Sequence, residues 1–228
     1  MYTVILPAAG SGTRMKLGYN KLFHKIAKRT VIEHTVAWFL NDAKCAQIII
    51  VSNAHDQVDM YNLFHTYPRV EVILGGDSRQ ESVYQALEHV REDIVIVHDG
   101  ARPFVNDVMI DACYEEAANG FGAIAAVVPK DTIKQRISAK ADVVSRTLAR
   151  DELIMVQTPQ AFPTSILKKA NEFAKNAKVL HEATDDASLV EKYTEVVIKI
   201  VEGDYKNIKF TTTEDIAYFE FLMKRERF

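Results

Sequence analysis

Six short apolar runs, at 3–6, 47–51, 70–74, 94–97, 123–128 and 196–201, alternate with segments whose apolar residues recur at helical spacing. Ile32, Thr35, Val36 and Phe39 share a face of one such segment, and Val83, Ala86, Leu87 and Val90 share a face of another. Short apolar runs bounded by turn residues fit strands buried on both sides. Their alternation with amphipathic helices predicts an α/β chain with a mostly parallel sheet and helices on both faces. Ligands of such sheets sit beyond the carboxyl ends of the strands. Three post-strand segments are therefore expected to converge: the loop from Pro7 to Met15, Gly75-Gly76-Asp77, and His98-Asp99-Gly100.

One region departs from the alternation. Residues 130–162 read as extended, with β-branched Thr132, Ile133, Ile137, Val143, Val144 and Thr147 around a polar turn at 138–142. This is expected to be a β-arm projecting from a single 1–228 domain. A two-stranded arm is marginal alone, so either a second copy covers it in a C2 dimer or it folds back on its own domain. Cys45 and Cys113 form no CxxC pair, and Cys113 shares a helical stripe with Ile110 and Ala117. Both read as buried structural thiols of a cytoplasmic protein. A net charge of −3 leaves no basic footprint for duplex nucleic acid. No apolar run is long enough for a membrane span, and the early first strand leaves no room for a signal peptide.

The first loop, Pro7-Ala8-Ala9-Gly10-Ser11-Gly12-Thr13-Arg14-Met15, follows a strand, and Lys21 comes seven residues after Arg14. It fits neither GxxxxGK[ST] nor GxGxxG, so a P-loop and a dinucleotide fingerprint are both disfavoured. Small residues there bring backbone N–H groups against phosphates, and Arg14 and Lys21 add charge; read alone, the glycines equally make a tight turn. Asp99 at a strand end suits Mg²⁺ or caps the next segment, and Arg102 suits a phosphate. His98 has no partner at zinc-ligand spacing and reads as a structural histidine. The doubled glycine at 75–76 permits close approach of a base or sugar. Thr184-Asp185-Asp186 reads as a helix cap, and Lys209, in an alternating stretch, reads by itself as solvent-facing.

Taken in order, the first loop, Asn20-Lys21, Gly75-Gly76-Asp77-Ser78-Arg79, His98-Asp99-Gly100-Ala101-Arg102-Pro103-Phe104, Lys130-Asp131-Thr132-Ile133-Lys134, Gln157-Thr158-Pro159-Gln160-Ala161-Phe162, Thr184-Asp185-Asp186 and Asn207-Ile208-Lys209 resemble the 2-C-methyl-D-erythritol 4-phosphate cytidylyltransferases. The resemblance implies a Rossmann-like fold, a homodimer built through the β-arm, and transfer of CMP from CTP with Mg²⁺. It implies Arg14, Lys21, Arg150 and Lys209 as catalytic. Pro7, Ala8, Ala9, Gly10, Gly76, Asp77, Ser82, Asp99 and Gly100 would face CTP, with Asp99 near the metal. Arg102, Thr132, Arg150 and Thr158 would hold the acceptor, Thr132 and Arg150 reaching across from the partner. Many relatives carry proline where this chain has Asn20, so a less constrained loop is expected here.

The chemistry implied is in-line attack of an acceptor phosphate on the α-phosphorus. That needs positioning and charge stabilisation rather than a strong base, in keeping with the lack of a Ser/His/Asp or Cys/His set. The alternatives are a ribitol 5-phosphate cytidylyltransferase, a sugar-1-phosphate nucleotidyltransferase and an inactive nucleotide-binding module. Pro7-Ala8-Ala9-Gly10 and His98-Asp99-Gly100-Ala101-Arg102 favour the methylerythritol reading over ribitol.

Overall fold

A computed structural model describes residues 1–10, 15 and 18–226. Its strands are β1 (Tyr2–Pro7), β2 (Lys25–Ile26), β3 (Arg29–Thr30), β4 (Cys45–Ser52), β5 (Val70–Leu74), β6 (Ile94–Val97), β7 (Gly122–Val127), β8 (Lys134–Arg136), β9 (Val144–Thr147), β10 (Met155–Pro163) and β11 (Ile198–Glu202). Its helices are α1 (Val31–Asn41), α2 (Gln57–Phe64), α3 (Arg79–Leu87), α4 (Asp107–Ala118), α5 (Thr164–Asn176), α6 (Asp186–Tyr193) and α7 (Glu214–Glu226). All six apolar runs fall in strands of one seven-stranded sheet, ordered β11-β7-β10-β6-β1-β4-β5. Every pairing in it is parallel except those of β10, which runs antiparallel to both β6 and β7.

The period of two along β1 divides the core. Tyr2, Val4 and Leu6 join a cluster with Val36 and Phe39 of α1, Met109 and Ile110 of α4, and Phe219 of α7. Ile5 joins the opposite cluster with Val83 and Leu87 of α3, Leu167 and Ala170 of α5, and Val190 of α6. The face expected for 32–39 is buried in α1. In the other segment Val83, Ala86 and Leu87 are buried, while α3 ends at Leu87, before Val90. A capping box starts α1: Glu33 Oε2 accepts from the Thr30 amide and hydroxyl, both at 2.7 Å, and the Glu33 amide donates to Thr30 Oγ1. Cys45 and Cys113 are free and buried, and burial pushes both thiols up to about 12.

From β1 the chain builds β4 and β5 on one side, then returns to set β6 on the other side of β1. The loops leaving β1 and β6 therefore diverge, which opens a crevice at their carboxyl ends. The extended region is narrower than 130–162. A two-stranded hairpin, β8 with β9, projects; the chain then rejoins the main sheet as β10 from Met155. Gln157 to Phe162 are buried there, so 157–162 belongs to the core rather than the arm, with Met155 and Val156 exposed at its base. Along the hairpin every residue of β8 and β9, Val144 among them, is exposed, with exposed Ile137 and Val143 beside them.

Candidate active site

A cavity of about 440 Å³ occupies the crevice, within the size range of small-molecule sites. Its walls are Pro7, Ala8, Ala9 and Gly10 after β1; Lys21 and Leu22 of a 3-10 turn; Gly76, Asp77, Ser78, Arg79 and Ser82 around the start of α3; Asp99, Gly100 and Ala101 after β6; and Lys209 with Thr211. Every described residue expected to face CTP lies on it, with the two lysines. Arg14 falls outside the described residues. Two glycines at the rim are closely packed. A Cβ on Gly75 would sit 2.6 Å from Ser82 Oγ, and one on Gly100 would sit 2.9 Å from Ile32 Cδ1.

Asp99 is the electrostatic hub. Its Oδ2 lies 3.0 Å from Lys209 Nζ and 3.1 Å from Arg102 Nε, and its Oδ1 lies 3.8 Å from Arg79 Nε. Burial opposes its charge, yet Lys209, Arg79 and Arg102 together hold the carboxyl far below the usual carboxylate range. Lys209 is carried there by its neighbour. Asn207 is fully buried, and its amide donates to the Thr158 carbonyl at 2.8 Å. Arg102 Nη1 donates to the Asn207 carbonyl at 2.7 Å, and the Phe210 amide donates to Ala101 O at 2.8 Å. The alternation around Lys209 is thus a strap laid along the cavity, and its ammonium lines the cavity rather than standing in open solvent.

Arg79 is a functional candidate that sequence reasoning passed over. Its guanidinium lines the cavity and pairs at 2.7 Å with Asp186, which is wholly buried at the start of α6. Burial alone would lower the Arg79 pKa, but Asp186 and Asp99 outweigh it and raise it; burial keeps the Asp186 carboxyl above its ordinary value despite Arg79. Asp185 behaves as the expected cap, its Oδ1 accepting from the Ser188 amide at 3.0 Å. The signal was a cation one residue inside a helix that opens on Gly75-Gly76-Asp77.

His98 is structural, as expected. It is fully buried, with Nε2 2.9 Å from the Arg102 carbonyl. A carbonyl only accepts, so the proton resides on Nε2 and Nδ1 accepts from the Thr158 hydroxyl at 3.2 Å. That hydroxyl in turn accepts from the Asp99 amide at 2.9 Å. Burial pushes the imidazole from 6.5 down to about 4. Between those values the unfolded chain binds the proton and the folded chain does not, so stability falls as pH falls. Asp99 stays ionised throughout that window. This histidine should account for about 2 kcal/mol of stability lost between about pH 7 and 5. Urea unfolding at both pH values, compared with His98→Asn, should show the pH difference shrink by that amount; an unchanged difference would refute the assignment.

Asn20 is itself tightly held, while most of the loop whose mobility was in question, residues 11–14 and 16–17, lies outside the described residues. The φ of Asn20, −63°, already lies at the proline value. Its side chain is buried and bonded to Ala8 O, Asp56 Oδ2 and the Leu22 amide. Where a proline ring would fix φ, this amide restrains residue 20 through hydrogen bonds. The four residues expected at the acceptor are not on the cavity wall. Arg102 and Thr158 adjoin it through their bonds to Asp99. Arg150 belongs to the exposed arm root, where it donates to Lys130 O at 3.0 Å, and Thr132 is exposed nearby.

Among the described residues no three of His, Cys, Asp and Glu gather as a metal cluster. Mg²⁺ asks for less, one or two carboxylates with substrate phosphates. Asp99 meets that: it is held ionised, and among the described residues the ion pair of its Oδ1 is the long one to Arg79.

A family model described as 2-C-methyl-D-erythritol 4-phosphate cytidylyltransferase matches residues 2–225. The protein of that name from Bacillus velezensis is 45% identical over 229 residues, spanning 99% of this chain and 97% of that protein. The solved 4-diphosphocytidyl-2C-methyl-D-erythritol synthase of Anaerococcus prevotii superposes with a TM-score of 0.85 at 29% identity, over 99% of this chain and 96% of that one. The 2-C-methyl-D-erythritol 4-phosphate cytidylyltransferase of Francisella tularensis gives 0.81 at 31% identity, over 96% and 98%.

Proposed function

The chain belongs to the 2-C-methyl-D-erythritol 4-phosphate cytidylyltransferase family, and we propose that its cavity binds CTP and directs the transfer of CMP to 2-C-methyl-D-erythritol 4-phosphate. The observation that carries this is the convergence of Lys21, Lys209 and the small-residue loop around ionised Asp99 on one cavity wall. Gly76, Asp77 and Ser82 take the cytidine, and Pro7 to Gly10 lie along the phosphates. The acceptor phosphate oxygen attacks the α-phosphorus in line, the P–O bond to pyrophosphate breaks, and pyrophosphate leaves. Arg14 and Lys21 stabilise charge on the α-phosphoryl and leaving groups, and Lys209 neutralises the α-phosphate. Asp99 would hold Mg²⁺, which when bound would supply neutralisation of the triphosphate charge. No helix among the described residues is long and apolar enough to cross a membrane, and we place the enzyme in the cytoplasm.

The enzyme works as one nucleotidyltransferase domain with the hairpin as its excursion, and as a homodimer. Exposed Ile137, Val143 and Val144 on the hairpin, with Val128, Met155 and Val156 at its base, support a second copy as the cover. That copy's arm brings Thr132 and Arg150 of the partner subunit to the acceptor beside Arg102 and Thr158. Pyrophosphate release from CTP, measured with each candidate acceptor, tests the reading. Release should require 2-C-methyl-D-erythritol 4-phosphate and Mg²⁺. Preference for ribitol 5-phosphate or a sugar 1-phosphate, or no release with any acceptor, would overturn it.

A further inference from the structure

Behind the first loop lies a polar cluster whose own residues are not on the cavity wall. Asn20 and Asp56 are buried, and Asn53 is half-buried. Both protons of each amide are used. Asn20 Nδ2 donates to Ala8 O at 3.0 Å and to Asp56 Oδ2 at 2.9 Å. Asn53 Nδ2 donates to Ala9 O at 3.2 Å and to the same Asp56 oxygen at 2.7 Å. The Asp56 amide donates to Asn53 Oδ1 at 2.9 Å, and the Asp56 carbonyl accepts the first bond of α2 from Met60 at 2.9 Å. Asn20 Oδ1 accepts from the Leu22 amide at 3.0 Å and so caps the 3-10 turn Lys21–Phe23.

We propose that Asn20, Asn53 and Asp56 are a positioning clamp that fixes the nucleotide loop and Lys21 relative to each other. The proposal rests on the CTP reading above. In a trans peptide the C=O and the next N–H point to opposite sides. Holding the Ala8 and Ala9 carbonyls against the two amides turns the N–H groups of Ala9 and Gly10 away from the clamp. The clamp residues are absent from the cavity wall while Ala8, Ala9, Gly10 and Lys21 form it, so those N–H groups turn toward the ligand. Asn20 adjoins Lys21 in the chain, so one side chain sets both the loop backbone and the base of the catalytic lysine. The shared carboxylate gives each link a charged partner, which strengthens it, and α2 anchors the whole. A separation held this way matters because misplacement of about 1 Å can cost roughly 10²-fold in rate.

The test is a double-mutant cycle in the full-length enzyme with CTP. Asn20→Ser keeps an N-cap oxygen for Leu22 but loses both donations. It should lower kcat by about ten-fold with little change in the KM for CTP. Combined with Lys21→Ala, it should cost no more than about three-fold beyond Lys21→Ala alone, because the clamp acts through that lysine. Independent multiplication of the two losses, or unchanged kcat in Asn20→Ser, would overturn the clamp. Normal turnover in Lys21→Ala would instead defeat the role given to the lysine above. If Asn20→Ser does not fold, Asn53→Ser, which removes the Ala9 link, is judged by its own kcat loss at constant KM; an unchanged kcat there overturns the clamp.

Discussion

Replacing Lys209 with alanine should reduce kcat and kcat/KM together by about 10²- to 10³-fold, the usual cost of removing one preorganised charge at a transferring group. The ammonium sits 3.0 Å from Asp99 and lines the cavity, with its side chain 36% exposed. It therefore has a fixed position yet remains accessible to a phosphate. The fold should survive. Asp99 keeps Arg102 at 3.1 Å and Arg79 at 3.8 Å, so no buried charge is left unpaired. Asn207 keeps the strap in place through bonds that do not involve residue 209. Lys209→Arg preserves charge but not the compact ammonium, and should recover only part of the rate. Pyrophosphate release at saturating substrates, with thermal melting as the control, decides the matter. Near-normal turnover in a folded Lys209→Ala would remove the lysine from the reaction.

Lys209 also shows where a local reading stops. Its sequence neighbourhood alternates polar and apolar residues, which by itself describes a solvent-facing side chain. Its place was set by contacts from Asn207 to Thr158 and from Phe210 to Ala101, both far away in sequence. The strands that positioned the rest of the site were readable because buried parallel strands are nearly continuous apolar runs. β10 was not readable as a sheet strand. Pro159 argues against a central strand, and Gln157 and Gln160 break the apolar pattern. The structure accommodates those polar groups by bonding them. Gln160 donates to Asp185 Oδ2 and accepts from the Asp186 and Ala187 amides, while Gln157 donates to Asp204 O. Reading 157–162 as arm followed from missing those partners. The Arg79–Asp186 pair spans 107 positions and has no local signature at either end. The bonds of Asn20 to Ala8 and Asp56 were likewise invisible locally, because its partners lie 12 and 36 positions away.

Mixing two inactive variants should restore activity if the acceptor site is shared between subunits. Lys21→Ala disables the CTP side of its own chain, and Arg150→Ala disables the arm. Arg150 is exposed, and it donates to the Lys130 carbonyl at the arm root rather than lining the cavity. If each arm serves the partner's cavity, a mixed dimer holds one site with both defects and one with neither. Random exchange makes about half the dimers mixed, so about one quarter of unmodified activity should return. Each parent alone should stay down by about 10²-fold or more. If the arm serves its own chain, each site in the mixed dimer keeps one defect and nothing returns. Exchange is verified by tagging one variant and recovering the other with it. The two outcomes differ by a factor of about ten or more against the parental background. An unchanged rate with exchange confirmed would return Arg150 to its own subunit and leave the exposed apolar row of the arm as a purely structural contact.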